Sequence, residues 1–161
     1  MKLYHGSLEI VQKPEMRKAN RTLDYGSGFY TTTSYEQAEA WVKRRMDETK
    51  QTIGYVNIYE MTEAIPAALK QFIFHSPTED WVDFVMRNRT EKGFVHDYDI
   101  VYGPVANDRV YAAFALYEGG LLDKQDLIKE LKAYKLVDQY LFHTEKALQT
   151  LSFVEAEEVL L

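Results

Sequence analysis

The sequence predicts a single α+β domain. The chain has 161 residues, which suits one domain and is too short for two of full size. Strand-like and helix-like segments both occur along the chain. They do not alternate regularly, as the segments of a doubly wound fold would. No repeat or linker divides them, so we expect residues 1–161 to form one domain.

Strands are predicted where aromatic and β-branched residues cluster or alternate with polar ones. The predicted extended segments are residues 3–5, 10–11, 29–33, 53–61, 98–105, 138–142 and 151–159. Between the second and third of these, residues 12–27 are polar and contain proline, asparagine and glycine, which predicts a loop.

Helices are predicted where apolar residues recur at helical spacing after a capping residue. Ser34 with Gln37 forms a capping box, and its helix is expected to run to about residue 49. Its expected inward side chains are Ala38, Trp41, Val42 and Met46. Ser76 before Pro77 predicts another helix start, and residues 62–72 a weak helix. Three further helices are expected to begin at Asp108, after Asp123 and after Thr144.

The composition argues against several classes of protein. The chain has no cysteine, which removes thiol nucleophiles, thiolate metal sites and disulfides. Its net charge of −6 makes it a poor general nucleic-acid binder, because phosphate contacts dominate that affinity. It has no apolar run of about 18 residues and no secretory signal, so we expect a cytoplasmic protein without membrane contact.

The polar motifs do not predict a metal site or a phosphate loop. The four histidines, His5, His75, His96 and His143, do not have the spacing of metal ligands. Gly26-Ser27-Gly28 lacks the third glycine of a dinucleotide loop and precedes a strand instead of a helix. We therefore expect no metal and interpret this tripeptide as a turn.

Two segments carry unusual chemistry. His5 ends the first predicted strand and Gly6 follows it at once, and a glycine there permits close backbone approach to a ligand. The run 28–34 consists of a glycine, two aromatic residues, three threonines and a capping serine. Each segment also has a purely structural interpretation, a strand end and a strand followed by a capped helix, and both interpretations stay open.

Together these segments resemble the ADP-ribosyltransferase superfamily, in its diphtheria-toxin-like branch. More narrowly, the chain is similar to a bacterial family of unknown function grouped with those transferases. The resemblance rests on residues 3–7, 23–32, Gln37-Ala38 with Trp41, 99–108, Asp138-Gln139 and 142–148. It implies a split antiparallel sheet flanked by helices, and NAD+ as substrate without a metal.

The resemblance also implies roles for individual residues. His5 would bond the ribose hydroxyls, and the backbone of Gly6 would hold the nicotinamide amide. Tyr30 would stack on the cationic nicotinamide ring, an interaction worth about 0.5–2 kcal/mol. Further expected contacts with NAD+ are Ser7, Thr31 and Tyr35, with Tyr25 and Tyr35 as additional stacking partners.

The third position of the family pattern departs from the expectation. Related transferases have a glutamate there, and this chain has Gln139. Glutamine accepts a hydrogen bond but carries no charge to stabilise an oxocarbenium-like transition state. Asp138 is expected to point to the opposite sheet face. Asn107 or Asp108 caps the next helix, or a carboxylate of this segment, such as Asp108, reaches the cleft in place of the glutamate, and both interpretations remain open.

Two functions follow as expectations. The first is a mono-ADP-ribosyltransferase, toxin- or effector-like, in which His5, Tyr30 and Gln139 act on NAD+. Its acceptor would be a protein or a nucleic acid, and a cognate antitoxin would be a partner. The alternative is a non-catalytic module of the same fold that binds NAD+ or another protein. Simple NAD+ hydrolysis is a third outcome.

Overall fold

A computed structural model describes residues 1–16, 23–105 and 108–161. The described strands are β1 (Lys2–Ser7), β2 (Phe29–Thr32), β3 (Ile53–Met61), β4 (Gln71–Ile73), β5 (Ile100–Pro104), β6 (Asp138–Phe142) and β7 (Leu151–Leu160). The described helices are α1 (Tyr35–Thr49), α2 (Glu79–Thr90), α3 (Asp108–Glu118), α4 (Lys124–Ala133) and α5 (Glu145–Leu148). The predicted α+β class is confirmed. No helix in these ranges has the length and apolarity needed to cross a membrane.

The strands form one sheet in the order β4-β5-β6-β2-β1-β3-β7. All neighbouring strands are antiparallel except β4 and β5, which are parallel, so the sheet is mixed and its central strands are antiparallel. The parallel pair has a topological cause. The chain leaves β4, passes through α2 and returns in β5, and such a crossover brings two strands together in the same direction.

Helices cover one face of the sheet in two groups. Helix α1 packs mainly over β1 and β3, where Ala38, Val42 and Met46 meet Val56 and Ile58. Helices α2, α3 and α4 pack over β5 and β6 in a second cluster, which contains Trp81, Phe114, Leu131 and Leu141. Short helix α5 lies on the opposite face, where Ala147 and Leu148 meet Leu3, Phe29 and Phe142. The boundary between β1 and β2 lies where the two helical groups meet, with Tyr4 against the first group and Tyr30 against the second.

Three predicted N-cap residues are confirmed, those of α1, α4 and α5. The hydroxyl of Ser34 accepts from Gln37 N at 3.2 Å, but the backbone N–H of Ser34 donates to Thr32 Oγ1 at 3.1 Å. The capping box is therefore only half formed. Asp123 and Thr144 cap α4 and α5 as predicted.

Four local predictions are wrong. The helix expected over 62–72 is absent, and the end of that segment becomes β4 because it pairs with β5. Helix α2 is capped by Thr78 instead of Ser76, since the Thr78 hydroxyl accepts from Trp81 N. The side chain of Trp41 is 43% exposed, because residues 38, 42 and 46 already fill the buried line of α1. Residues 10–11 form no strand, and Val11 N donates to Asn57 Oδ1 at 2.8 Å instead.

Candidate functional site

The sheet has a seam between β1 and β2. Their register consists of one residue pair, Tyr4 with Thr32. Beyond that pair, a side chain and not the backbone joins the two strands. The imidazole Nδ1 of His5 lies 2.7 Å from the Tyr30 carbonyl oxygen. Extending the register would set Gly6 opposite Tyr30. The strands predicted to carry the site therefore meet where the sheet is least continuous.

Cross-strand pairing assigns the predicted residues to faces. Thr32 pairs with Gln139, and Tyr30 pairs with Leu141 on the same strands. Paired residues share a face and successive residues alternate, so Tyr30 and Gln139 lie on the helix-covered face. His5 lies on the other face, where its ring packs against Phe29 with centroids 4.3 Å apart. The structure therefore places Tyr30 and Gln139 on the same face of the sheet and His5 on the opposite face.

Tyr30 is fixed at its phenol end. Its hydroxyl donates to Gly26 O at 2.5 Å and accepts from Tyr25 N at 3.1 Å. Desolvation by burial raises its pKa well above the ordinary tyrosine value. The ring is half-buried against the cluster under α2 and α3. Tyr30 therefore stays neutral and holds the turn of residues 26–28, the glycine turn, in place.

Gln139 belongs to a buried polar network. Its Nε2 donates to Pro104 O at 3.4 Å and also lies near the Tyr25 hydroxyl. That hydroxyl donates to Pro104 O at 2.8 Å and accepts from Trp81 Nε1 at 2.7 Å. The amide therefore acts as a donor toward the Pro104 carbonyl oxygen, which a carboxylate at this position would not do.

Tyr25 offers no ring face to a ligand. It is fully buried, and desolvation by burial raises the pKa of its phenol. Its backbone carbonyl accepts from His96 Nε2 at 2.7 Å. The structure makes Tyr25 part of the core, not a stacking partner.

The end of β1 is held by Asn57, which is fully buried on β3. Its Nδ2 donates to His5 O and Glu9 O, both at 3.2 Å, and its Oδ1 accepts from Val11 N. The hydroxyl of Ser7 accepts from Glu9 N at 3.1 Å. Ser7 thus shapes the turn after β1, and Asn57 anchors that turn to the sheet.

Helix α1 closes over Gly6. A Cβ at this position would lie 2.6 Å from Ala38 O and 2.6 Å from Val42 Cγ2. At the start of the same helix, Tyr35 meets the Tyr4 ring edge-on, with centroids 5.5 Å apart. The Tyr35 hydroxyl donates to Glu157 at 2.6 Å, and this bond raises its pKa to about 12. Tyr35 is therefore near the seam through Tyr4.

Asp138 faces away from Gln139, as expected. Its carboxylate accepts from the Tyr102 hydroxyl at 2.6 Å, and the two tyrosine rings of that face, Tyr102 and Tyr140, lie 4.5 Å apart. Thr31 is buried on this face and donates to Tyr140 O at 3.2 Å. Asp138 therefore cannot replace the missing glutamate without turning the strand over.

The structure only partly places Asn107 and Asp108, the two candidates for the cap of α3. Asp108 is the first residue of α3, as predicted. Asn107 lies outside the described residues. The choice between a helix cap by either residue and a cleft carboxylate from Asp108 stays a prediction.

Sequence reasoning missed two histidines that hold the glycine turn. His96 Nε2 bonds Tyr25 O, and His143 Nδ1 lies 2.6 Å from Ser27 O. The imidazole rings lie 4.1 Å apart. The sequence around either histidine does not indicate these contacts. Each contact joins two segments more than 45 residues apart in the chain.

Sequence reasoning also missed a charged pair beside Tyr25. Arg89 Nη1 lies 3.9 Å from Asp24 Oδ1, and the Asp24 side chain is buried. Burial is the main cause of the raised pKa of Tyr30, and the charge of Asp24 raises it further.

In the described part of the chain, no group of three or more His, Asp or Glu side chains has the arrangement of a metal site.

One family model, described as a protein of unknown function (DUF3990), matches residues 1–153. No curated protein and no solved structure matches the chain significantly. The match covers the seam, the glycine turn, the Gln139 network and all of the described strands except β7, of which it includes only the start. The chain is therefore a member of the DUF3990 family.

Proposed function

We propose that this protein binds NAD+ at the β1–β2 seam and acts as a mono-ADP-ribosyltransferase. The observation that carries the proposal is the seam itself. Two strands with the expected residues part after a single pair, and Gly6 and Tyr30 flank the gap on the helix-covered face. The order of the resembling segments along the chain supports the same function.

The side chains at the seam suit a flat aromatic ring that carries an amide. Tyr4, Tyr30 and Tyr35 supply aromatic surface on one face, and α1 packs directly against Gly6 at the edge of that surface. An aromatic ring attracts a pyridinium cation through its electron-rich face. The nicotinamide end of NAD+ has this chemistry.

The proposed reaction breaks the bond between C1′ of the ribose and the nicotinamide nitrogen. The electron pair leaves with nicotinamide, which becomes neutral, and the acceptor nucleophile bonds C1′ and loses its proton to water. In this reaction Tyr30 would position the leaving ring and the Gln139 carbonyl would accept from a ribose hydroxyl. The acceptor is proposed to be a protein side chain or a nucleic-acid base.

A second candidate function, a non-catalytic NAD+-binding module, is favoured by the hydrogen bonds of Gln139. Its buried amide donates to the Pro104 carbonyl oxygen, beside the Tyr25 hydroxyl that bonds the same oxygen. Loss of one preorganised electrostatic group commonly costs about 10²–10³ in rate. A protein with a neutral, core-bound residue at this position would bind NAD+ and release little nicotinamide.

Calorimetric NAD+ titration and nicotinamide release, measured on the same samples, test both candidates. Tyr30→Phe keeps the ring and loses only the hydroxyl, whereas Tyr30→Ala loses both. We expect the phenylalanine variant to bind within a few-fold of the native protein and the alanine variant to bind on the order of tenfold more weakly. Thermal unfolding of each variant shows that the fold is retained.

The outcomes separate cleanly. Nicotinamide release with ADP-ribose attached to a protein or oligonucleotide supports the transferase, and free ADP-ribose indicates hydrolysis. Binding without release supports the non-catalytic module. Absence of both binding and release at millimolar NAD+ contradicts the proposal. Equal binding by Tyr30→Ala and the native protein would remove Tyr30 from the site.

A further inference from the structure

Arg89 carries a buried donor without a partner. It lies in the last turn of α2, and its side chain is 25% exposed. Within the described ranges, Arg89 Nη1 is the one buried side-chain nitrogen or oxygen that makes no hydrogen bond. The Asp24 carboxylate oxygen, at 3.9 Å, is too far for one. A buried charged donor left unsatisfied is costly, which suggests that something else bonds it.

Aromatic side chains fix the guanidinium in place. Its central carbon lies 4.5 Å from the Tyr111 ring centroid and 5.3 Å from that of Phe114. Phe114 is buried, but Tyr111 is 41% exposed, so the guanidinium lies at the edge of solvent. A planar guanidinium held over a ring directs its N–H groups sideways, toward an acceptor in its own plane.

This arginine is close to the seam. Asp24 directly precedes Tyr25, whose backbone N–H donates to the Tyr30 hydroxyl at 3.1 Å. Helix α3, which carries Tyr111 and Phe114, packs in the same cluster as Tyr30. A ligand lying on Tyr30 would therefore have Arg89 within reach of its next polar group.

We propose that Arg89, backed by Tyr111, is a subsite for a phosphate group of a nucleotide ligand. Two phosphate oxygens match the fork of the guanidinium, and such bidentate pairs are the strong charge-assisted hydrogen bonds of proteins. The chain is acidic overall, with a net charge of −6, so a diphosphate needs a local cation such as this one. The proposal rests on the proposed function for the identity of the ligand, which would be the dinucleotide at the seam.

Asp24 has a defined part in this subsite. Its carboxylate is buried near the guanidinium and neutralises it when no ligand is bound. It also repels an incoming phosphate. Removing the charge of Asp24 should therefore strengthen phosphate binding, whereas removing the charge of Arg89 should weaken it. This opposition distinguishes a ligand subsite from a purely structural ion pair, in which both changes would only reduce stability.

The test uses ADP-ribose and inorganic pyrophosphate as probes, titrated by calorimetry into the full chain. Both carry the diphosphate and neither contains nicotinamide. For Arg89→Gln we expect on the order of tenfold weaker binding of both probes, and for Asp24→Asn tighter binding. Arg87→Gln is the matched control. Arg87 is on the same helix, over the Phe94 ring and paired with Glu91, and its loss should leave both affinities unchanged.

Thermal unfolding accompanies each titration. If Arg89→Gln does not fold, Arg89→Lys keeps the charge but loses the fork, and should bind ADP-ribose more weakly than the native protein. Equal affinities of folded Arg89 variants and the native protein overturn the proposal, as does absence of binding of both probes at millimolar concentration. Probe binding that depends on Arg89, without nicotinamide release, leaves the subsite standing and refutes only the transferase.

Discussion

His5 and Tyr30 are joined by a hydrogen bond in which a side chain replaces a backbone partner. The imidazole Nδ1 lies 2.7 Å from the Tyr30 carbonyl oxygen. A carbonyl oxygen only accepts, so the neutral ring carries its proton on Nδ1. The bond thus fixes the tautomer of His5 as well as the spacing of β1 and β2.

Replacing His5 with alanine should destabilise the protein. The change removes the bond to Tyr30 and the ring contact with Phe29, and we expect the free energy of unfolding to fall by about 1–2 kcal/mol in urea denaturation. His75→Ala is the control, because His75 is exposed at the end of β4, and it should change stability by less than about 0.5 kcal/mol. Equal losses in the two variants would show that the seam does not need the imidazole.

Replacing Gln139 with glutamate should destabilise the protein and leave nicotinamide release no faster. The carboxylate would face Pro104 O in a buried site where the amide now donates. We expect a loss on the order of 2 kcal/mol at pH 7. Gln71→Glu, at an exposed position of β4, should be nearly neutral.

The loss in Gln139→Glu should depend on pH. Burial would raise the pKa of the new carboxyl above its unfolded value of about 4.3. Both states are then protonated below that value and the loss is small, and it grows as pH rises toward the folded pKa. Urea denaturation at pH 4 and pH 7 measures this. A stable Gln139→Glu variant that releases nicotinamide faster than the native protein would contradict this expectation. It would show that residue 139 acts in catalysis and that glutamine there is less active than glutamate.

His96 should make the stability of the protein depend on pH. Desolvation by burial lowers its pKa, and the stacked His143 lowers it further. Because Nε2 donates to Tyr25 O, the lone pair of Nδ1 accepts from Tyr98 N, and protonation would break that bond. The unfolded chain, with a pKa near about 6.5, therefore takes up the proton first. Stability is full at neutral pH and decreases as pH falls through about 6.5 toward the folded pKa.

Urea midpoints between pH 5 and pH 8 measure this dependence. His96→Gln keeps a donor for Tyr25 O but does not titrate, so its stability should depend less on pH than that of the native protein. His75→Gln, which changes an exposed histidine, should retain the native dependence. The chain has two tryptophans, so unfolding is followed in a Trp41→Phe variant, in which Trp81 is the remaining tryptophan. Trp81 reports on the core because its indole donates to the buried Tyr25 hydroxyl. The same pH dependence in His96→Gln and native protein would contradict this account.

Replacing Gly6 with alanine should destabilise the contact between β1 and α1. The new methyl group would lie 2.6 Å from both Ala38 O and Val42 Cγ2, so the helix must shift. Overpacking of this kind costs about 1–3 kcal/mol. Val42→Ala removes one of the two contacts, and the double variant should lose less than the sum of the single losses. Strict additivity, measured by urea denaturation, would exclude the contact as the cause.

Much of the fold could be predicted because its signals are local. The strand β3 follows from nine residues of alternating and β-branched character, and β6 was predicted with the same bounds. The caps Ser34, Asp123 and Thr144 act on residues three positions away. Such features need no information from the rest of the chain.

The candidate site was predictable only as a set of residue types. The sequence indicated His5, Tyr30 and Gln139, but strand register decides that His5 is on one face of the sheet and the other two are on the opposite face. The amide of Gln139 donates into the core because Pro104 and Tyr25 lie beside it. These contacts join positions at least 35 residues apart, which local patterns do not encode.

The sequence by itself therefore determined the α+β class, the bounds of its most regular elements and the chemistry available to them. Only the tertiary structure decided that β4 is a strand, that Trp41 is exposed, and that Arg89 has an unpaired buried nitrogen near Asp24. The physical reason is the range of the interactions. Caps and periodicity act within one or two turns, whereas burial, register and polar partners are set by segments that meet only after the chain has folded.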